Sequence, residues 1–165
     1  YAGFYKTTRG PLFAYLLRMT GDGQLSSDLV QESFTRCLSK YGRNGNNRAL
    51  LYTVARNAAL DALNKRREER MQGDEALSSL GDPERQLIEK ESYRRTIAAI
   101  QKLNPVDREL IALLATETFS YREIGKMLNI SEANVKVKVH RARLRLKAIL
   151  NHNLAEKPGE PYDQD

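Results

Sequence analysis

Apolar residues along this chain of 165 residues recur at spacings of three and four, the period of a helix buried along one face. "GPLFAYLLRMTGDG" sets Leu12, Phe13, Leu16 and Leu17 on such a face, with Pro11 at the predicted helix start and Gly-Asp-Gly as its stop. A second helix is expected from Ser26 or Ser27 as N-cap, with Asp28 in the first turn, where it suits the helix dipole. Leu29, Val30, Phe34 and Leu38 give it an apolar side. "GRNGNN", Gly42 to Asn47, is turn chemistry, and "RALLYTVARNAALDALNKRR" follows as a long helix. Its Leu51, Val54, Ala55, Ala58, Ala59 and Ala62 again recur at three and four.

Further along, the punctuation is sharper. After a helix carrying Ile97, Ile100 and Leu103, Asn104 caps a new one with Pro105 at its first position and Asp107 in its first turn. "SYRE", Ser120 to Glu123, is a capping box that opens a short helix through Leu128. Asn129 suits the left-handed residue that ends it, and Ser131 caps the next. "NVKVKVHRARLRLK" then alternates apolar and charged residues like a half-buried strand, yet it is entered through a helix start. Read helically, Val135, Val139, Ala142, Leu146 and Ile149 form one stripe at spacings of 4, 3, 4 and 3, so a helix is predicted. Val137 and Leu144 fall off that stripe, among Lys136, Lys138, Arg141, Arg143, Arg145 and Lys147.

A short helix, a turn of Asn129, Ile130 and Ser131, and a second helix with a basic front make a helix-turn-helix. The second helix of that motif fits the DNA major groove, where each base pair shows a distinct donor and acceptor pattern. Lys and Arg attract phosphate and donate to guanine, while Val137 can touch a thymine methyl. A solvated basic face on a plain helical bundle is the competing reading.

Composition narrows the class. Hydrophobic content of 41% with 29% charged residues is ordinary for a globular protein, and no apolar run approaches the roughly 18 residues of a membrane span. Single Cys37 forms no internal disulfide, and the chain lacks spaced zinc ligands, so a reducing, cytoplasmic setting is expected. Neither a phosphate-binding glycine loop nor a nucleophile paired with a base appears, and no enzyme or cofactor is called for. Net charge is +6, unevenly spread: residues 1–67 carry 11 basic against 4 acidic groups, 68–83 carry 1 against 5, 84–150 carry 14 against 8, and 151–165 carry 1 against 4. An all-α chain of two small helical domains is expected, 1–67 and 84–150, joined by a flexible acidic linker, 68–83, and followed by a disordered tail, 151–165.

The stretch "SYREIGKMLNISEANVKVKVHRARLRLKAIL" resembles the C-terminal promoter-binding domain of extracytoplasmic-function sigma factors, bacterial transcription initiation factors. "SDLVQESFTRCL" is similar to the helix by which that family docks on the polymerase clamp, and "LLYTVARNAALDALNKRR" to the helix that opens and reads the −10 element. The resemblance implies core RNA polymerase and promoter DNA as partners, no membrane insertion, and control by an anti-sigma factor. It assigns polymerase docking to Asp28, Gln31 and Glu32, and −10 DNA contact to Arg48, Tyr52, Arg56, Asn57, Asn64, Lys65 and Arg66, with packing an equal alternative for Tyr52. For the −35 element it implies base reading by Lys136, Val137, His140 and Arg141, and phosphate positioning by Arg122, Lys138, Arg143 and Arg145. Leu50 stands where the family often has Trp. A stand-alone helix-turn-helix regulator is the alternative, though such proteins usually dimerise to span two half-sites.

Overall fold

The computed structural model describes residues 2–73 and 91–155, with side chains as far as His152. The described residues are helical: α1 (Ala2–Thr20), α2 (Gly23–Tyr41), a 3₁₀ turn (Gly42–Gly45), α3 (Arg48–Met71), α4 (Glu91–Gln101), α5 (Pro105–Leu114), α6 (Tyr121–Leu128) and α7 (Glu132–Ala155). The acidic linker from Asp74 and the tail from Glu156 lie outside them.

Four boundaries differ from the sequence reading. Pro11 lies inside α1, not at its start. It sits on the exposed side, so the ladder bond it removes leaves no buried carbonyl to satisfy. The Gly-Asp-Gly stop is also the next start: Gly21 turns the chain at φ 68°, and Asp22 caps α2 by accepting from the Leu25 N–H at 3.0 Å. Ser26 is therefore inside α2, buried, its hydroxyl 2.8 Å from that of Thr20. Helix α3 continues through residues 68–71 of the expected linker, and α7 through residues 151–155 of the expected tail. The first, Glu-Glu-Arg-Met, is made of good helix formers, and neither extension contains a Gly or Pro to stop a helix.

Caps in the second half fall where expected. Asn104 accepts from the Asp107 N–H, Ser120 and Glu123 form a reciprocal capping box, and Asn129 is left-handed at φ 57°. Each such cap contributes about 1 kcal/mol. Val135, Val139 and Ala142 are buried along α7, with Leu146 and Ile149 packed at the edge. The expected stripe is the core face.

Leu12, Tyr15, Leu16 and Met19 of α1 join Leu29, Val30 and Phe34 of α2 and Leu51, Ala55 and Ala59 of α3 in one core. Alanines let α3 approach closely. That core does not stop at the first unit: it continues into Leu110 and Leu113 of α5, Ile124 of α6 and Val135 of α7. The two helical units pack on each other through α1, which touches both α4 and α5.

Gly125 fixes the helix-turn-helix. A Cβ there would lie 2.7 Å from the Ile130 carbonyl oxygen, closer than real Cβ contacts come. Gly125→Ala is expected to destabilise the protein by about 1–3 kcal/mol, the usual cost of overpacking, read in urea unfolding. An unchanged midpoint would show that the turn has room.

Candidate nucleic-acid interface

Helix α7 presents two faces. With the stripe buried, Lys136, Val137, His140, Arg141 and Arg143 stand exposed together, and Val137 keeps 48% of its surface. Tyr121 joins Val137, His140 and Arg141 around a shallow hollow at the start of the helix. Lys138 is half-buried, while Arg122 projects from the first turn of α6 beside the turn. Arg145 is engaged elsewhere: its guanidinium meets buried Asp107 at 2.6 Å. Asp107 also accepts from Asn104, so this pair ties α7 to the start of α5. That contact qualifies the expected phosphate role of Arg145, since its charge is already partnered inside the fold.

On α2, Asp28, Gln31 and Glu32 are all exposed on one side, with Leu29, Val30 and Phe34 beneath. Asp28 accepts from Gln24, Gln31 donates to the Tyr5 hydroxyl at 3.1 Å, and Glu32 pairs with Arg36. These local bonds order a polar face at low cost. Cys37 lies beneath the far end of α2, donating to the Gly45 carbonyl, and burial pushes its thiol up. It is a core residue.

Helix α3 separates its candidates. Arg48, Asn57, Asn64 and Lys65 are exposed. Of the two roles open to Tyr52, packing is the one seen here: it is 1% exposed, against Tyr15 and Phe119 with ring centroids 5.1 Å away in each case. Burial pushes its phenol up to about 12, with Arg18 and Arg48 pulling the other way. This arrangement makes Tyr52 a packing residue, because two large rings cover it. Arg56 pairs with Glu109 of α5, and Arg66 meets Asp22 at 2.8 Å. The Arg66 contact closes a knot: Asp22 holds the start of α2 with one oxygen and Arg66 with the other. In this structure Arg66, expected at the strand, links α3 to the start of the helix that carries Asp28.

Three groups at the seam between the units had no signal in the sequence. Arg18 of α1 donates twice to the Ala112 carbonyl near the end of α5, and Gln101 of α4 donates to the Arg18 carbonyl at 2.7 Å. Glu109, only 9% exposed, meets Arg56. All three pairings join residues more than 50 positions apart, and no local spacing announces them. Asp22 and Gly125 did have signals. An Asp three residues before Leu25, and a Gly ahead of the Asn129 turn, mark a cap and a close approach.

A Sigma-70 region 2 model matches residues 4–69, and a Sigma-70 region 4 model matches residues 93–146. Over 160 residues the chain is 31% identical to the ECF RNA polymerase sigma factor SigM of Bacillus subtilis, covering 93% of this chain and 96% of that protein. It is 31% identical to the RNA polymerase sigma factor CarQ of Myxococcus xanthus, covering 82% and 80%. Among solved structures, the fold is similar to that of the sigma factor RpoE of Bartonella quintana in a co-crystal with the anti-sigma factor NepR, with a TM-score of 0.73. That match has 24% identity and covers 89% of this chain and 94% of the other.

A double-mutant cycle distinguishes the two roles for Arg66. Arg66→Ala is expected to lower unfolding stability by about 2–4 kcal/mol, because it strands a buried carboxylate. In an Asp22→Asn background, where Asn still caps the helix, the same change should cost less than about 1 kcal/mol. Equal costs in both backgrounds would dismiss the bracing role.

Proposed function

Because the chain belongs to the ECF RNA polymerase sigma factors, we propose that each of its two cationic helices meets one promoter element while α2 holds the polymerase. The protein is a bacterial transcription initiation factor that binds core RNA polymerase and directs it to specific promoters. Sigma factors guide initiation, and the polymerase performs the chemistry. We extend that division of labour to this chain, which then catalyses nothing itself and acts in the cytoplasm beside its polymerase.

The residue assignments are those that the resemblance to the family implies, kept where the side chain is free to reach a partner. The first unit, through α3, captures the −10 strand with the exposed Arg48, Asn57, Asn64 and Lys65. Cations along a backbone with an amide at the base edges suit single-strand capture. The second unit, through α6 and α7, reads the −35 duplex. Lys136, Val137, His140 and Arg141 face the major groove, while Arg122, Lys138 and Arg143 steady the phosphates. The observation that carries this reading is the exposed basic front of α7 with apolar Val137 in its middle, on a helix whose other side is fully packed. A solvated face has no use for that valine.

Asp28, Gln31 and Glu32 form the docking face for core polymerase, held by a shared platform with both DNA-binding units. Tethering two modest contacts to one platform raises effective concentration, so neither unit needs tight DNA binding alone. The Bartonella quintana sigma factor is bound by an anti-sigma factor in its crystal. A partner of that kind suits this chain too, since Val137 and Leu144 leave two apolar groups exposed two turns apart on the wet side of α7.

Transcription with bacterial core polymerase on a genomic fragment library tests this reading. Intact protein is expected to direct new transcript starts sharing two upstream elements. Asp28→Ala, Gln31→Ala and Glu32→Ala together should reduce them at least about tenfold, as loss of several polar contacts implies. No gain in initiation, with fragments still retained by the protein alone, would favour a stand-alone regulator.

A further inference from the structure

We propose that the arginine-rimmed cavity between the end of α3, α4 and the start of α5 binds a nucleoside triphosphate, its phosphates on the guanidiniums and its base on the apolar floor. Such binding goes beyond promoter recognition and does not depend on it.

Arg66, Arg67 and Arg70 of α3 and Arg108 of α5 line a cavity of about 520 Å³, and among the described residues no carboxylate lines it. Two of the four are fixed in place. Arg66 meets Asp22, and Arg108 donates to the carbonyls of Gln101 and Leu103 at 2.9 and 3.1 Å. Arg108 is nonetheless short of partners: its Nε is buried with no acceptor among the described residues, and burial draws its pKa below the ordinary value. An anion beside a desolvated cation relieves that cost. The other two are open. Arg67 and Arg70 are exposed, three positions apart and so neighbours on the helix surface, and no described carboxylate pairs with either. Guanidiniums so placed grip phosphate oxygens in bidentate fashion.

Charge alone would suit any polyanion, and the floor narrows the choice. Leu60 and Leu63, one and two turns before Arg67, meet Ala98 of α4 and Pro105 of α5 there. The volume falls within the roughly 300–1,000 Å³ of small-molecule sites, which favour the meeting of two structural units. A nucleoside triphosphate carries what both halves require, a flat ring and a chain of charged phosphates, and a guanidinium plane also stacks on such a ring.

The test is calorimetric titration of the full chain with ATP at about 150 mM salt, where exposed charge pairs are screened. One site with a Kd below about 100 μM is expected. Tripolyphosphate and adenosine, each carrying one half of the ligand, should bind at least about tenfold more weakly. Arg67→Ala with Arg70→Ala should weaken ATP at least about tenfold, as loss of two charge-assisted contacts implies. Ala98→Leu, which fills the floor and keeps every charge, should weaken ATP and leave tripolyphosphate unchanged. No saturable binding up to about 1 mM ATP overturns the site. So does tripolyphosphate binding as tightly as ATP, which would be plain attraction of a polyanion, or ATP binding undiminished in the double arginine variant, which would place it elsewhere. Should Ala98→Leu lose helicity, the arginine variant and the tripolyphosphate comparison decide the matter. None of these readouts involves polymerase or promoter DNA, so failure of the site and failure of the initiation-factor reading are told apart.

Discussion

Arg18 is the residue through which the two halves of the molecule depend on each other. A helix ends with carbonyls that have no partner within it. Its guanidinium supplies one for Ala112 near the end of α5, while its own carbonyl, near the end of α1, takes the Gln101 amide. Each unit thus completes a helix terminus of the other. A cation near a helix C-terminus is also favoured by the dipole. Burial exacts something in return, drawing the Arg18 pKa below its ordinary value, with Tyr93 among the groups that oppose the shift. The same junction explains Gly21, since a side chain there would run into Gln101.

From that junction follows the division of the cations. Docking α5 on α1 and α6 on α3 brings Glu109 to Arg56 and Phe119 to Tyr52. Elsewhere the fold spends arginines on its own geometry, Arg66 on the start of α2 and Arg145 on the start of α5. What remains exposed is a coherent set: the amide and lysine edge of α3 and the front of α7. Buried pairs are weak evidence for stability, because desolvation offsets much of the attraction. Their value here is positional, since each fixes how α3 or α7 sits on its neighbour.

Much of this was legible locally. Ser120 with Glu123, then Asn129 and Ser131, mark the helix-turn-helix within twelve residues, and the stripe from Val135 to Ile149 separates the core from the exposed basic face. Such signals depend on neighbours in sequence, where spacing and geometry are tied together. Pro11 misled because a proline that suits a helix start is also tolerated on an exposed flank. Asp22 carries a cap signal inside a Gly-Asp-Gly that also reads as a helix stop, because the same residues end one helix and begin another. Tyr52, Arg56, Arg66 and Arg145 looked alike on paper as available polar groups, and only long-range packing decides which are spent. Charge patterning could not see Glu109 at all as a partner, because it lies 53 residues from Arg56 in sequence.

The two units share one core here, whereas contact with two separated promoter elements on polymerase requires them to stand apart. Spin labels at Ser39→Cys on α2 and Lys147→Cys on α7, both exposed sites, in a Cys37→Ala background would report the separation of the units directly. Pulsed dipolar spectroscopy should give a short distance in the free protein and a distinctly longer one with core polymerase. The same distance in both would contradict the account.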